Sequence, residues 1–178
     1  MKYLTTLEVA RELNAYLLAG KTEYWRAHRN YAGILHFVYL TCSYPGVFTA
    51  DHFQDVRELR LNPWFEDYMG EAMKPLGVYL SFFQPTLEAG KPRPFGVMMV
   101  NDGYEAEDGE LRLTLEAQDG GEVARATRPF DIAPLGTLSH DLELSVPSAP
   151  GRYLLKATAV TTAGARTVSR RKVTILEP

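Results

Sequence analysis

The chain has 178 residues, enough for one ordinary domain or for one domain with a substantial appendage. Its 46% hydrophobic and 23% charged residues describe a globular protein, and a net charge of −3 offers no general attraction to nucleic acid or to an acidic membrane surface. The single cysteine, Cys42, excludes an internal disulfide framework, and its place just after the apolar run Gly33–Leu40 reads as a small buried thiol.

Residues 1–75 read as helix, strand, aromatic loop and helix. The N-terminus lacks the apolar core of a signal peptide, so a chain that starts naturally at Met1 is expected to be cytoplasmic. No apolar run approaches the ~20 residues that span a bilayer. Thr5-Thr6-Leu7-Glu8 has the spacing of a capping box, and Ala10, Leu13, Leu17 and Tyr24 recur at helical spacing, which predicts a helix to about His28 with that stripe inward. Gly33-Ile-Leu-His-Phe-Val-Tyr-Leu40 then runs apolar without alternation, the pattern of a strand covered on both faces. Such a strand needs parallel neighbours, and no second run of the kind exists in this half.

The loop Thr41–Asp51 is rich in turn formers and rings (Tyr44, Pro45, Gly46, Phe48), and a short helical turn is predicted over Phe53–Leu59. Asn62-Pro63 supplies an N-cap and a proline at the first helical position, with Trp64, Phe65, Tyr68 and Met73 as the apolar face of a helix that stops before Pro75.

From about Gly77 the period becomes two. Leu111, Leu113, Leu115 and Ala117 alternate with Arg112, Thr114, Glu116 and Gln118, and Leu138, His140, Leu142, Leu144 and Val146 with Ser139, Asp141, Glu143 and Ser145. Tyr153, Leu155, Ala157 and Ala159 form a third inward set, and further strands are predicted over Val78–Gln84, Phe95–Val100, Val123–Ile132 and Thr167–Leu176. Seven short strands separated by turn signals predict a mainly β fold, a seven-stranded antiparallel sandwich of immunoglobulin type over 76–178. Tyr153, near the start of the sixth strand, stands where such folds place a corner tyrosine.

Chemistry-bearing clusters are sparse. Asp51, Asp55, Glu58, Glu66 and Asp67 are the candidates for paired carboxylates, and their places in loops and helices read as solvated or capping groups. His28, His36, His52 and His140 lack metal spacing; His140 reads as a hydrogen-bonded core residue, whereas His36 lies near the end of the buried strand, where barrel side chains gather for function. Asn101–Glu110 is acidic, but its spacing is that of a solvated hairpin turn rather than a calcium loop. Ser169-Arg170-Arg171-Lys172 is confined to one strand, where alternate charges face water. Rings stack on sugar faces as well as filling interfaces, so the aromatic group Phe37, Tyr39, Tyr44, Phe48 and Trp64 is the best candidate for ligand contact.

At Gly33-Ile-Leu-His-Phe-Val-Tyr-Leu-Thr-Cys-Ser-Tyr-Pro45 the chain resembles glycoside hydrolase family 2, the β-galactosidase, β-glucuronidase and β-mannosidase group. The features that carry the likeness are Gly33, Leu35, Phe37, Tyr44-Pro45, Asp51 and the helix near Asn62–Met73, followed by Val97-Met-Met-Val-Asn-Asp102, Pro150-Gly-Arg-Tyr-Leu-Leu-Lys-Ala157 and Ser169-Arg-Arg171. The resemblance implies that residues 1–75 form the last helix–strand unit of a (β/α)8 barrel, preceding an immunoglobulin-like module. Both catalytic glutamates of that family lie on earlier strands, and a whole barrel takes roughly 250 residues. The resemblance therefore implies a non-catalytic C-terminal portion of a retaining glycosidase, inactive alone, with His36, Phe37 and Tyr44 bordering the sugar subsite. It assigns no catalytic residue, metal or cofactor. The implied partners are carbohydrate, the missing catalytic domain, or another copy of the chain paired through the exposed strand; nucleic acid and membrane are not among them. The rival expectation is a stand-alone sandwich that binds carbohydrate or protein.

Overall fold

A computed structural model describes residues 6–30, 33–36 and 52–176. The chain divides into two compact units, Met1–Met73 and Lys74–Pro178.

In the first unit, helix α1 (Thr6–Ala27) packs on helix α2 (Pro63–Ala72). The predicted inward stripe is not the one used. Leu13 and Leu17 are exposed, while Ala15, Ala19, Thr22 and Ala27 are buried. Small side chains let two helix backbones approach, so the alanine face meets Phe65, Tyr68, Met69 and Ala72 of α2, and Tyr16 sets its ring edge-on to Tyr68 at 5.8 Å. Asn62 caps α2 as predicted, its side chain accepting from the Trp64 amide at 3.0 Å, with Pro63 behind it.

Between the helices lies a short antiparallel pair, β1 (Phe53–Asp55) and β2 (Arg60–Leu61), in place of the predicted helical turn. Asp55 decides this. Its carboxylate accepts from the amides of Arg57 and Glu58 at 2.8 and 3.2 Å, closing a side-chain turn that competes with a helical one. Of the apolar run 33–40, only residues 33–36 are described. They carry no strand, and Ile34 and His36 are partly buried while Leu35 is 95% exposed. This stretch thus departs from a strand covered on both faces. Residues 37–40, Cys42 and the aromatic loop to Asp51 lie outside the described residues.

The second unit is a β-sandwich. One sheet runs β3 (Leu76–Leu80), β5 (Pro92–Asn101), β8 (Thr137–Ser145); the other runs β4 (Thr86–Leu87), β10 (Arg166–Ile175), β9 (Gly151–Thr161), β6 (Glu107–Ala117), β7 (Glu122–Ile132). All pairings are antiparallel except the short one of β4 with β10. The alternating residues predicted to point inward do so. Val97, Met99, Leu142 and Leu144 from one sheet face Leu111, Leu113, Leu115, Leu155, Ala157, Val173 and Ile175 from the other. At Gly109 a side chain is excluded, since a β-carbon would sit 2.1 Å from the Val160 carbonyl oxygen of β9.

Within this unit the hairpins are β6–β7 and β9–β10; their tight turns use Gly120 and Gly164, both at positive φ. Asn101–Glu110, predicted as a hairpin turn, instead crosses from one sheet to the other, because β5 pairs with β3 and β8 and never with β6. Asn101 ties this crossing down. Buried at the end of β5, it donates to the carbonyls of Glu105 (2.7 Å) and Ala133 (3.2 Å) and accepts from the Gly103 amide at 2.8 Å.

Candidate functional site

Of His36, Phe37 and Tyr44, only His36 lies among the described residues; Trp64 of the aromatic group is described too, partly buried against the helix core. The His36 Nε2 stands 3.1 Å from the Thr22 hydroxyl of α1. That hydroxyl donates to the Leu18 carbonyl at 2.9 Å, so it meets His36 as an acceptor and the imidazole proton sits on Nε2. Burial, and then the neighbouring His52, hold the His36 pKa below its ordinary value, so the ring is neutral near pH 7. His52 is buried, with its ring 4.4 Å from that of Phe65.

His36 edges a shallow groove of about 390 Å3 on the first unit, walled by Leu61, Phe65, Met69 and Met73, with Glu66 at its rim. The Thr22 hydroxyl also touches the Met69 sulfur at 3.8 Å, which fixes that side chain against α1. Sequence reasoning found His36 but missed Thr22, His52 and Met69. Their roles depend on α1 meeting α2, which no local pattern announces. The groove is apolar, suited to covering a hydrophobic surface rather than to proton transfer.

The carboxylates considered for glycoside chemistry are scattered. Asp55 is spent on its turn, and the amides of Glu58 and Arg57 hold its pKa below the ordinary value. Glu58 lies 3.7 Å from Arg60 on an exposed surface, and Glu66 and Asp67 are exposed on α2. Asp51 lies outside the described residues. Among the described residues no three His, Cys, Asp or Glu side chains gather as metal ligands, and no helix is long and apolar enough to cross a membrane.

Two sequence expectations change in the sandwich. Arg171, expected to face water, is 2% exposed. Its guanidinium donates to the carbonyls of Phe82 (3.0 Å), Leu80 (2.8 Å) and Arg170 (2.7 Å) and lies 4.5 Å from the Phe83 ring. Beside it, buried Ser169 accepts from the Leu80 amide at 3.1 Å. Together they latch the segment where the chain leaves β3 in one sheet to reach β4 in the other. His140 does point inward from β8, yet it is not the hydrogen-bonded core residue expected. Its Nε2 is buried with no hydrogen-bond partner among the described residues. Tyr153 fills the corner position, its hydroxyl donating to the Ala149 carbonyl at 2.9 Å.

The fold therefore defines the class: a β-sandwich protein carrying a two-helix N-terminal unit. No protein-family model matches the chain, and no curated protein matches it. Among solved structures it is similar in part to a cycloisomaltooligosaccharide glucanotransferase of Paenibacillus sp. complexed with cycloisomaltoheptaose, at 17% identity and TM-score 0.44, over 57% of this chain and 14% of that one. It is similar also to the alkylpurine DNA glycosylase AlkC of Pseudomonas fluorescens bound to DNA containing an abasic site analog, at 9% identity and TM-score 0.44, over 64% of this chain and 34% of that one. The chain thus spans a minor part of either protein, and neither likeness bears on its chemistry.

Proposed function

We propose that this chain is the non-catalytic C-terminal portion of a family 2-like retaining glycoside hydrolase, serving carbohydrate breakdown by completing a catalytic barrel supplied from elsewhere. The observation that carries the reading is the apolar surface left open on the first unit. Leu7, Val9, Leu13 and Leu17 of α1 are all between 49% and 54% exposed. A self-sufficient small domain buries such side chains, and apolar patches of this kind mark surfaces that another body covers. The strand order of the sandwich, with its sheet-switching first strand and corner tyrosine, agrees with an immunoglobulin-like module.

On this reading Phe37 and the loop at Tyr44 border the sugar subsite, with His36 beside them, and the catalytic glutamates come from the partner. The test is complementation. The chain alone should give no turnover of nitrophenyl glycosides. It should restore turnover when mixed with a family 2 glycosidase truncated before its last barrel strand. Robust turnover by the chain alone overturns the reading, as does failure of complementation across the galactosidase, glucuronidase and mannosidase members.

The second reading, a stand-alone sandwich that binds carbohydrate or protein, is favoured by one feature, the self-contained core of the second unit, drawn from both of its sheets.

A further inference from the structure

At one end of the sandwich, where β4 lies beside the start of β5, the surface sinks into a depression of about 440 Å3. This is within the range of roughly 300–1,000 Å3 usual for small-ligand sites. Its apolar lining is Ala89 and the half-exposed Leu176, with buried Leu87 beneath them, and its polar lining is Gln84, Thr86, Glu88, Lys91 and Arg93.

Arg93 is the organising group. Its guanidinium carbon lies 4.9 Å from the Phe82 ring centroid and 5.9 Å from that of Phe95, so one face is pressed on aromatic surface. One Nη donates to the Gln84 side-chain oxygen at 2.7 Å, which fixes the plane of the fork. The Glu88 carboxylate also lines the depression, in a close ion pair with Lys91 and within the field of Arg93, so one acid faces two cations and one positive charge is in surplus. The guanidinium thus has its orientation set by the Phe82 ring and the Gln84 amide and keeps donors over for an incoming acceptor. A planar, preorientated guanidinium above an apolar floor suits a carboxylate joined to a ring with one apolar face.

We infer that this depression is a binding site for an acidic saccharide, with Arg93 taking the carboxylate of a uronic acid residue. Gln84 and Thr86 stand beside the ring hydroxyls, and Ala89 and Leu176 lie under the C–H face. The choice of a sugar rests on the carbohydrate reading above; the demand for a carboxylate rests on Arg93 and on the surplus positive charge it leaves in the depression.

Calorimetric titration of the full chain with digalacturonate, galactobiose and acetate tests it. The two disaccharides differ in bearing a carboxylate or a hydroxymethyl group, and acetate carries the carboxylate without the ring. Digalacturonate is expected to bind at least tenfold more tightly than either of the others, and Arg93→Gln to weaken it at least tenfold. Because Arg93 also covers Phe82, the wild-type protein supplies a second readout: amide resonances of Thr86, Leu87 and Leu176 should shift with digalacturonate. Equal binding of the two disaccharides, acetate binding as well as digalacturonate, no binding, or shifts confined to other surfaces would each overturn the inference. The measurement needs no barrel, so its failure leaves the complementation experiment standing, and the reverse holds too.

Discussion

At the residue scale, two side chains whose surroundings differ from expectation, His140 in its bonding and Arg171 in its burial, make the sharpest tests. His140 sits among Leu138, Leu142 and Leu144 on the inward face of β8, and burial, then the charge of Arg128 on β7, hold its pKa below the ordinary value. The unfolded chain therefore binds a proton at a higher pH than the native one does. Stability is unaffected by this group above the unfolded value of about 6.5 and falls as the pH drops below it, levelling off under the native pKa. His36 is shifted in the same direction and gives the first unit's transition a slope of the same sign. Replacing His140 with leucine should flatten the pH profile of the second unit's urea midpoint between pH 7 and 5, and His36→Leu that of the first unit's. An unchanged slope in both variants would contradict the assignment. Arg171 offers the complementary case. Arg171→Met keeps much of the apolar stem but strips donors from the Leu80 and Phe82 carbonyls, at a cost of about 3 kcal/mol. The urea midpoint should fall with the m-value unchanged. Period two, counted back from Val173 and Ile175, places this arginine on the inward face of β10; its charge argues against that place, and hydrogen bonds to a neighbouring crossing are what sustain it there.

At the element scale, legibility follows how one-sided the burial is. Strands β6, β8 and β9 were plain because each shows one face to the core and one to water, so size and polarity alternate together. Helix α2 was plain because Asn62-Pro63 marks its start. Helix α1 was found, but with the wrong face inward, since the largest apolar residues were taken for the buried ones and the contact is made by Ala15 and Ala19. This inversion is testable. Ala19→Leu should overpack the α1–α2 seam and cost about 2 kcal/mol. Leu17→Glu, on the exposed face, should change stability by no more than about 0.5 kcal/mol while abolishing complementation. If Leu17→Glu unfolds the first unit instead, the exposed ridge is a core face and the partner argument falls with it. Crossings were mistaken for hairpins for a related reason. A turn motif such as Asn101-Asp-Gly103 specifies that the chain reverses, not which sheet it enters next.

At the scale of the whole molecule, the mainly β character and the sandwich were readable from composition and period, while the candidate site was only partly so. His36 was legible as an isolated histidine, but Thr22 and His52, which set its proton and its charge, come from distant parts of the chain. The two units also differ in what holds them. Among the described residues the sandwich core joins 21 buried side chains from both sheets, whereas the first unit's core joins six. Small cores rarely supply more than a few kcal/mol, so the first unit should unfold at lower denaturant than the second. The sequence provides separate probes, for the only two tryptophans, Trp25 and Trp64, both lie in the first unit, while most strands lie in the second. Tryptophan emission should therefore change at lower urea than the far-ultraviolet dichroism of the strands, giving two non-coincident transitions. Adding a truncated glycosidase that accepts the chain should move the tryptophan transition upward toward the other, because a partner binding only the folded first unit stabilises it by mass action. Coincident transitions for the chain alone would mean that one cooperative core holds all of it, and the open apolar face of α1 would then need no partner to explain it.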